Sequence, residues 1–340
     1  MATTHQREWK VLEALKWCTD YLEAHDDPNP RLSAQWLLSG VTGLSRVEVY
    51  AYHDRLLDST ERAQLREWLK RRADGEPLQY ILGEASFRDL VLTVTPAVLI
   101  PRPETEGLVQ LVINYLKGKG LGSNFSDTAE EIERDPLAQQ ASSFVSGAET
   151  TGSVERIDVG KENSLSSRLP MVLDIGTGSG AIVLSLAQEC PDLNLTATDI
   201  SPEALEVARQ NAQRLGLDER IDFIESDWYA ALDDRTFDLI VSNPPYIPTS
   251  AMATLEKQVR EYEPPGSLDG GEDGLDIYRR ILEGSVEHLA ENGALFVELD
   301  EGNTTQACDL AVQLERYSQV VIEPDLNGRD RYVIVGSSRD

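Results

Sequence analysis

Residues 171–180 read Met-Val-Leu-Asp-Ile-Gly-Thr-Gly-Ser-Gly, a short apolar run followed by three alternating glycines. Such a run is typical of a buried parallel strand, and the residues after Gly180 have the pattern of a buried helix. Glycines between strand and helix let the backbone approach a ligand, and free N–H groups at the helix start favour an electron-rich partner. Alone, the pattern is also compatible with a structural turn.

Two further strand ends supply groups suited to a nucleoside. The strand pattern 194–199 ends in Asp199, about twenty residues after the glycines, where a carboxylate can accept both ribose hydroxyls. The pattern 221–226 is followed by Asp227 and Trp228, an acceptor and an aromatic ring suited to the edge and face of adenine. The alternative roles are helix capping for Asp227 and core packing for Trp228.

A turn rich in acceptors ends the fourth strand pattern, residues 237–242. It reads Asn243-Pro244-Pro245-Tyr246, and proline has no backbone N–H. The Asn243 side-chain oxygen and the Pro244 carbonyl can each accept one N–H of a planar NH₂ group, while the Tyr246 ring can stack on its plane. We therefore predict that Asn243, Pro244 and Tyr246 are catalytic and that all four residues bind the substrate.

The glycine spacing distinguishes two cofactors that share this architecture. A nicotinamide dinucleotide fingerprint has the form G-x-G-x-x-G, whereas the glycines here lie at 176, 178 and 180. Asp174 precedes them, where an acid can face a cation such as an amino-acid ammonium group. The pattern favours S-adenosylmethionine. The predicted cofactor-binding residues are Asp174, Gly176, Thr177, Gly178, Ser179, Gly180, Asp199, Asp227, Trp228 and Asn243.

Strand and helix patterns alternate after Pro170. Strands are predicted near 171–175, 194–199, 221–225, 237–242, 294–299, 318–323 and 331–336, and helices near 180–188, 202–215, 276–291 and 303–316. The last two strands are joined through Asn327-Gly328, a hairpin signal, so one of them runs antiparallel to its neighbour. We predict the α/β class, a doubly wound seven-stranded sheet with one antiparallel strand, as in class I S-adenosylmethionine-dependent methyltransferases. Ligands bind outside the carboxyl ends of strands in such sheets.

Taken together, the motifs resemble the HemK/PrmC family of protein-(glutamine-N5) methyltransferases. The similarity is carried by residues 77–83, 101–106, 174–180, 197–201, 243–246 and 270–276. The resemblance implies methyl transfer from S-adenosylmethionine to the side-chain amide N5 of the glutamine in the Gly-Gly-Gln motif of class 1 peptide-chain release factors. Residues 297–302 depart from the family pattern, and we predict no part in methyl transfer for them.

Two other functions stay open on the sequence alone. The same turn serves amino-methyltransferases that act on adenine or cytosine of nucleic acid, and a chain can keep the fold as a non-catalytic S-adenosylmethionine-binding protein. The formal net charge of −28 opposes the first, because nucleic-acid binding relies on Lys and Arg at phosphates. The basic cluster Lys70-Arg71-Arg72 is interpreted as the solvated last turn of a helix. We predict no direct contact with nucleic acid.

The sequence divides into four parts. Helical periodicity predicts a small all-α bundle over residues 1–77, and the resemblance implies that it docks the release factor. Residues 78–117 are predicted to form a β-hairpin linker and the segment that leads into the sheet. Residues 118–169, rich in Gly, Ser and Glu, are predicted to be a largely disordered insertion, with a short helix over 127–141 as an alternative. Residues 170–340 are the predicted methyltransferase domain.

Composition limits the remaining function classes. No run approaches the ~20 apolar residues of a membrane-spanning helix, and the first ten residues lack the apolar stretch of a secretory signal. Cys18, Cys190 and Cys308 are scattered, and the four histidines form no cluster, which indicates no metal site. We expect a cytoplasmic monomer without membrane contact.

Overall fold

The computed structural model describes residues 8–118 and 168–337. The predicted insertion, apart from its ends, and the alternative helix over 127–141 lie outside the described residues.

The N-terminal part is a helical bundle, as predicted. Its helices are α1 (Val11–Glu23), α2 (Pro30–Thr42), α3 (Glu48–Ala51), α4 (Ser59–Ala73) and α5 (Leu78–Leu82). Helix α4 begins with a capping box, in which the Asp58 carboxylate accepts the Glu61 N–H and the Glu61 carboxylate accepts the Asp58 N–H. The apolar faces enclose a separate core that includes Leu22, Leu37 and Leu38. The bundle therefore has its own packed interior.

A short connection leads from the bundle to the sheet. Residues Leu78–Leu82, which the sequence analysis placed in the hairpin linker, form α5, and its Ile81 packs in the bundle core. The hairpin follows as β1 (Glu84–Phe87) and β2 (Leu90–Thr93), and then comes α6 (Pro103–Leu116).

The remaining elements form the predicted doubly wound sheet. They are β3 (Met171–Ile175), α7 (Ala181–Glu189), β4 (Asn194–Asp199), α8 (Pro202–Leu215), β5 (Ile221–Glu225), β6 (Phe237–Ser242), α9 (Lys257–Tyr262), α10 (Asp276–His288), β7 (Leu289–Glu298), α11 (Thr304–Gln313), β8 (Gln319–Pro324) and β9 (Asp330–Gly336). The strand order is β5-β4-β3-β6-β7-β9-β8, and β9 runs antiparallel to both neighbours. The seven-stranded sheet with one antiparallel strand is confirmed.

Alternating side chains of the central strands build two cores, one on each face of the sheet. Val172 packs with α6 and α7, whereas the next residue, Leu173, packs with α10 and α11. Helices that cover both faces explain why most residues of β3 and β6 are apolar, with Asp174, Asp238 and Ser242 as the exceptions. The surface left open to a ligand is the edge formed by the carboxyl ends of the strands, where the order reverses between β3 and β6.

The boundary between α10 and β7 differs from the prediction, as does the end of α11, which lies at Gln313 rather than near residue 316. Helix α10 ends at His288 rather than near residue 291, and β7 begins at once with Leu289. The pairing of β7 with β6 shifts register after Leu289, and a side chain at Gly293 would come within 2.9 Å of the Ala290 carbonyl oxygen. The extended start of β7 therefore depends on a glycine where two backbone segments approach closely.

Candidate active site

A cavity opens at the carboxyl ends of β3, β4 and β6. It brings together most of the residues predicted from the sequence. Those that line it are Gly176, Thr177, Gly178, Ser179, Asp199, Trp228, Asn243, Pro244 and Pro245. The residues that do not line it are Asp174, Gly180, Asp227 and Tyr246.

The glycine turn after β3 presents bare backbone to the cavity. Gly176 and Gly178 have φ values of 72° and 56°, and a Cβ built on either would meet nothing within 4 Å. Gly180 has φ of 85°, and its Cβ would lie 2.8 Å from Leu184 Cδ1. The first two glycines thus leave room for a ligand, whereas the third lets the turn pack on α7.

Asp174 lies beneath the turn and is fully buried. Its Oδ2 accepts the Thr177 hydroxyl at 2.7 Å and the Val183 N–H at 3.3 Å, while Oδ1 has no partner. Burial raises the pKa of this carboxyl to about 7. Asp174 therefore ties the turn to the start of α7 and keeps one unsatisfied acceptor beside it.

Asp199, at the end of β4, both supports the turn and faces the cavity. Its Oδ2 accepts the Gly178 N–H at 2.9 Å, and its Oδ1 accepts the Ser201 N–H at 2.9 Å. Burial raises its pKa, and these N–H donors oppose that effect. A carboxylate has further acceptor capacity after two hydrogen bonds, so Asp199 can also bind hydroxyl groups in the cavity.

Trp228 has an unusual backbone conformation and lies between the core and the cavity. Its backbone has a φ of 56°, a left-handed conformation that is strained for a bulky side chain. Its ring lines the cavity, and the buried indole Nε1–H has no acceptor. The neighbouring Asp227 does not line the cavity.

The acceptor turn after β6 is held by a residue distant in sequence. Asn243 Nδ2 donates to Thr105 Oγ1 at 2.9 Å, and Thr105 lies in the first turn of α6. The bond engages the amino end of the amide, so Oδ1 is left for another donor. The side-chain oxygen of Asn243 is therefore available as a hydrogen-bond acceptor in the cavity.

Tyr246 lies behind the turn. It packs against the core below the sheet edge, and its carbonyl accepts a 3.3 Å hydrogen bond from Asn303 Nδ2. Burial raises its pKa, so the phenol stays protonated. A Cβ on Gly270 would lie 2.7 Å from Tyr246 Cα, which shows how closely the segment 270–274 packs against the turn.

Sequence reasoning missed three cavity residues from the segment 101–106, namely Pro101, Arg102 and Thr105. Arg102 lines the cavity and forms a 2.7 Å ion pair with the buried Glu263, and Thr105 holds Asn243. The motif entered the sequence analysis only through the family resemblance. A threonine near the start of a helix is ordinarily interpreted as a capping residue, so local pattern gave no reason to select it.

The described residues contain neither a metal-binding cluster nor a membrane-spanning helix. Within residues 8–118 and 168–337, no group of three or more His, Cys, Asp or Glu side chains could hold a metal ion. Nor does the described part of the chain contain a helix long and apolar enough to cross a membrane.

Comparison with known proteins identifies the family. Residues 13–83 match the PrmC N-terminal domain, and residues 150–260 match the methyltransferase small domain. A release factor glutamine methyltransferase of Geobacter sulfurreducens is 37% identical over 325 residues, 96% of this chain and 96% of that protein. The chain belongs to the release factor glutamine methyltransferase family. A second member, from Rhodopirellula baltica, is 34% identical over 330 residues, 97% of each chain.

The resemblance inferred from the motifs is thus confirmed, and so is S-adenosylmethionine as the cofactor of this methyltransferase. The described residues fit that cofactor. The bare glycine backbone offers space, Asp199 offers acceptors, and the Trp228 indole N–H lacks a partner within the protein.

Proposed function

We propose that this methyltransferase modifies the side-chain amide nitrogen of the glutamine in the Gly-Gly-Gln motif of class 1 peptide-chain release factors. The observation that carries the proposal is the Asn243–Thr105 hydrogen bond, which leaves the Asn243 Oδ1 as an acceptor in the cavity. A planar NH₂ group is the complement of that acceptor and the Pro244 carbonyl. The full-length relatives named for release factor glutamine support the choice of substrate.

The acceptor turn meets the main chemical difficulty, which is that an amide nitrogen is a poor nucleophile. Its lone pair is shared with the carbonyl, so the site has to hold it in line with the methyl and favour the charge that develops on it. Bound S-adenosylmethionine supplies an electrophilic methyl group on a sulfonium. Asn243 Oδ1 and the Pro244 carbonyl accept the two N–H groups, and both bonds strengthen as the nitrogen becomes positive.

No strong general base is needed at this turn. A nitrogen that has gained a methyl group and a positive charge releases its proton readily. The lining residues Asn243, Pro244 and Pro245 carry no ionisable side chain, in keeping with this. The buried Tyr246 phenol, with its raised pKa, remains neutral. It can support the plane of the substrate amide from behind the turn.

The cofactor roles follow from the cavity walls. Asp199 accepts the ribose hydroxyls, Trp228 packs on adenine, and the backbone at Gly176 and Gly178 allows close approach of the amino-acid part. Asp174 acts from beneath the turn, where its unpaired Oδ1 provides negative charge for an ammonium group. These assignments are proposals about the described residues.

The helical bundle is the proposed docking surface for the release factor. It contacts the catalytic part through Arg72, whose Nη1 donates to Gln258 at 3.5 Å, and through Tyr262, whose hydroxyl donates to the Asp74 carbonyl at 3.2 Å. Both contacts involve the segment that follows the acceptor turn. Binding at the bundle is thereby connected to the cavity. We also propose a cytoplasmic monomer that does not contact membranes.

Nucleic acid is the alternative substrate, since adenine and cytosine also carry planar NH₂ groups. The net charge of −28 disfavours it, because like charges repel phosphates over a Debye length of about 8 Å at physiological salt.

Incubation with labelled S-adenosylmethionine tests the function directly. The purified release factor, DNA and ribosomal RNA are offered separately, and mass spectrometry maps the label. We expect one methylated glutamine in the release factor, none in a control factor with that glutamine replaced by alanine, and none in nucleic acid. Methylation of a base, or of the control factor, would contradict the proposal.

A further inference from the structure

A fully buried carboxyl group lies outside the cavity, just behind the acceptor turn. Glu298, at the end of β7, has no exposed surface, and neither of its oxygens has a hydrogen-bond partner at normal distance. A buried carboxyl without full hydrogen bonding destabilises a fold. The strand register places Glu298 beside the acceptor turn, because Val297 pairs with Ser242, the residue before Asn243. Glu298 itself pairs with Tyr332, whose hydroxyl donates at 2.6 Å to the carbonyl of Glu104, the residue before Thr105. The Thr105 hydroxyl also lowers the pKa of Glu298 against the larger effect of burial.

Thr105 connects this carboxyl to the catalytic turn. Its side chain is buried, and its oxygen accepts the amide N–H of Asn243 at 2.9 Å. A threonine hydroxyl has one proton to donate. With Asn243 on its acceptor side, the proton of Thr105 is left for another acceptor, and Glu298, whose two oxygens lack a hydrogen-bond partner, is the carboxyl that the strand register places beside the turn.

We propose that Glu298 and Thr105 are positioning residues that hold the Asn243 side chain with Oδ1 toward the substrate nitrogen. The inference rests on the proposed function and adds to it a reason for the orientation of the amide. The sequence analysis expected no part in methyl transfer for residues 297–302, and the placement of Glu298 favours the opposite.

An asparagine side-chain amide can be oriented in two ways, with either its oxygen or its NH₂ group toward the cavity. If the Thr105 proton were free, it could donate to Asn243 Oδ1, and the amide would turn its NH₂ group into the cavity. Two NH₂ groups would then face each other, and the substrate would lose its acceptor. An acceptor behind Thr105 removes that alternative, because it takes the hydroxyl proton.

Charge adds to this effect. A carboxylate at Glu298, the Thr105 hydroxyl and the Asn243 amide align their dipoles so that the negative end of each faces the cavity. That arrangement favours the positive charge that develops on the substrate nitrogen. The other charged or titratable groups around Glu298 are Arg331, Arg102, Glu104, Tyr246 and Tyr332.

A purely structural role predicts a different result on substitution. Replacing a buried, poorly paired carboxyl with an apolar side chain of similar size is commonly neutral or stabilising. A positioning role predicts lost activity in a protein that is equally or more stable. The two roles therefore differ in the sign of the stability change that accompanies the loss of turnover.

The test compares full-length Glu298→Met and Thr105→Val with Thr105→Ser, which keeps the hydroxyl. We expect kcat on the release factor to fall on the order of 10- to 100-fold in the first two, the range seen when outer hydrogen-bond partners of metal-binding side chains are removed. Thr105→Ser should retain most of the activity. Calorimetry should show unchanged S-adenosylmethionine affinity, and the melting temperature of Glu298→Met should be equal or higher.

Non-additivity gives the sharper criterion. If Glu298 acts through Thr105, the double variant should lose no more than either single variant, whereas independent effects would multiply. Multiplied losses, a Thr105→Ser variant as impaired as Thr105→Val, or a parallel fall in melting temperature would overturn the inference.

A spectroscopic measurement separates this inference from the proposed function. In protein labelled with ¹⁵N-asparagine, the side-chain NH₂ signals of Asn243, assigned by their loss in Asn243→Ala, should shift in Thr105→Val and in Glu298→Met. Unchanged signals would overturn the positioning role even if the enzyme were active. Shifted signals in a protein that failed to methylate any release factor would support positioning and overturn the proposed function.

Discussion

Two buried carboxyl groups lie at the ends of strands on either side of the active site, and they are held differently. Asp174, the fourth residue of β3, and Glu298, the last residue of β7, are both fully buried, and burial raises the pKa of each to about 7. Asp174 accepts hydrogen bonds from Thr177 and Val183, within nine positions of itself. Neither oxygen of Glu298 has a hydrogen-bond partner, and Thr105, whose hydroxyl lowers its pKa, lies nearly two hundred residues earlier in the chain.

The comparison shows how the two halves of the site are assembled. The proposed cofactor half is local, since β3, the glycine turn and the start of α7 are joined by hydrogen bonds within one short segment. The substrate half joins Thr105, Asn243 and Glu298 from three separate elements. A change in the cofactor half should therefore alter binding or local folding, whereas a change in the substrate half should alter turnover.

The largest effect is expected for Asn243→Ala in the substrate half. The variant loses an acceptor that strengthens in the transition state, and the loss of one such preorganised contact lowers kcat ~100-fold or more. Turnover on the release factor and calorimetric S-adenosylmethionine affinity are the two measurements. Because its hydrogen bond goes to Thr105 rather than to the glycine turn, affinity should change little. Near-normal turnover would remove Asn243 from the catalytic set.

Asp199→Ala should produce the next largest effect, on cofactor affinity. Charge-assisted hydrogen bonds contribute roughly 1.5–3 kcal/mol each, so the loss of ribose contacts and of the bond to Gly178 should weaken binding about tenfold or more. Asp199→Asn is the matched control, with the same size and less acceptor capacity, and should be intermediate. An unchanged dissociation constant for Asp199→Ala would reduce its role to support of the Ser201 N–H.

Within the glycine turn, Gly178 and Gly180 are expected to have different roles. Gly180→Ala places a Cβ 2.8 Å from Leu184, and overpacking of this kind lowers the free energy of unfolding by about 1–3 kcal/mol. Gly178→Ala points into open space, so it should weaken S-adenosylmethionine binding more than Gly180→Ala and carry mainly the strain of its positive φ. Thermal unfolding of both variants measures the change in stability, and calorimetry measures the change in S-adenosylmethionine affinity. Equal binding by the two would place Gly178 outside the cofactor contact.

The smallest expected effect is a pH dependence of stability from Glu298. Its folded pKa, about 7, is raised above the ordinary value of 4.5, so protonation stabilises the fold. That contribution is complete below about pH 4.5 and is lost as pH rises to about 7, on the order of 3 kcal/mol at most.

Glu298→Gln cannot ionise and should lack this loss. The difference in free energy of unfolding between Glu298→Gln and the unaltered protein should therefore grow in favour of the variant from pH 4.5 to 7 and then level off. Asp174 titrates in the same range in both proteins and cancels in the difference. A difference that is constant with pH would show that Glu298 stays in one ionisation state.

Features formed by residues close together in the chain are also the features that the sequence predicts well. Strand and helix patterns gave the sheet, and Asn327-Gly328 indicated the reversed strand, because hydrophobic period and turn chemistry act over a few residues. The cavity-lining residues Gly176, Gly178 and Asp199 could be predicted from the sequence for the same reason. That Asp227 and Tyr246 lie outside the cavity wall depends on how the turns pack, which spacing does not encode.

The substrate half, whose residues lie far apart in the chain, could not be predicted in this way. Thr105 is a routine residue in the first turn of a helix until α6 is placed beside β6, and Glu298 looks like one acid among 59 acidic residues. Their roles arise from contacts between elements far apart in the chain. Burial of a carboxyl group without a hydrogen-bond partner identifies Glu298, and the hydrogen bond to Asn243 identifies Thr105; both signals exist only in three dimensions.

Trp228 gives the protein its own optical probe. Of the five tryptophans, Trp9, Trp17, Trp36 and Trp68 belong to the helical bundle, and Trp228 alone stands in the cavity wall. Replacing the other four by phenylalanine would leave a single emitter at the border of the pocket. Its fluorescence would then follow occupancy in real time, without a label and without turnover.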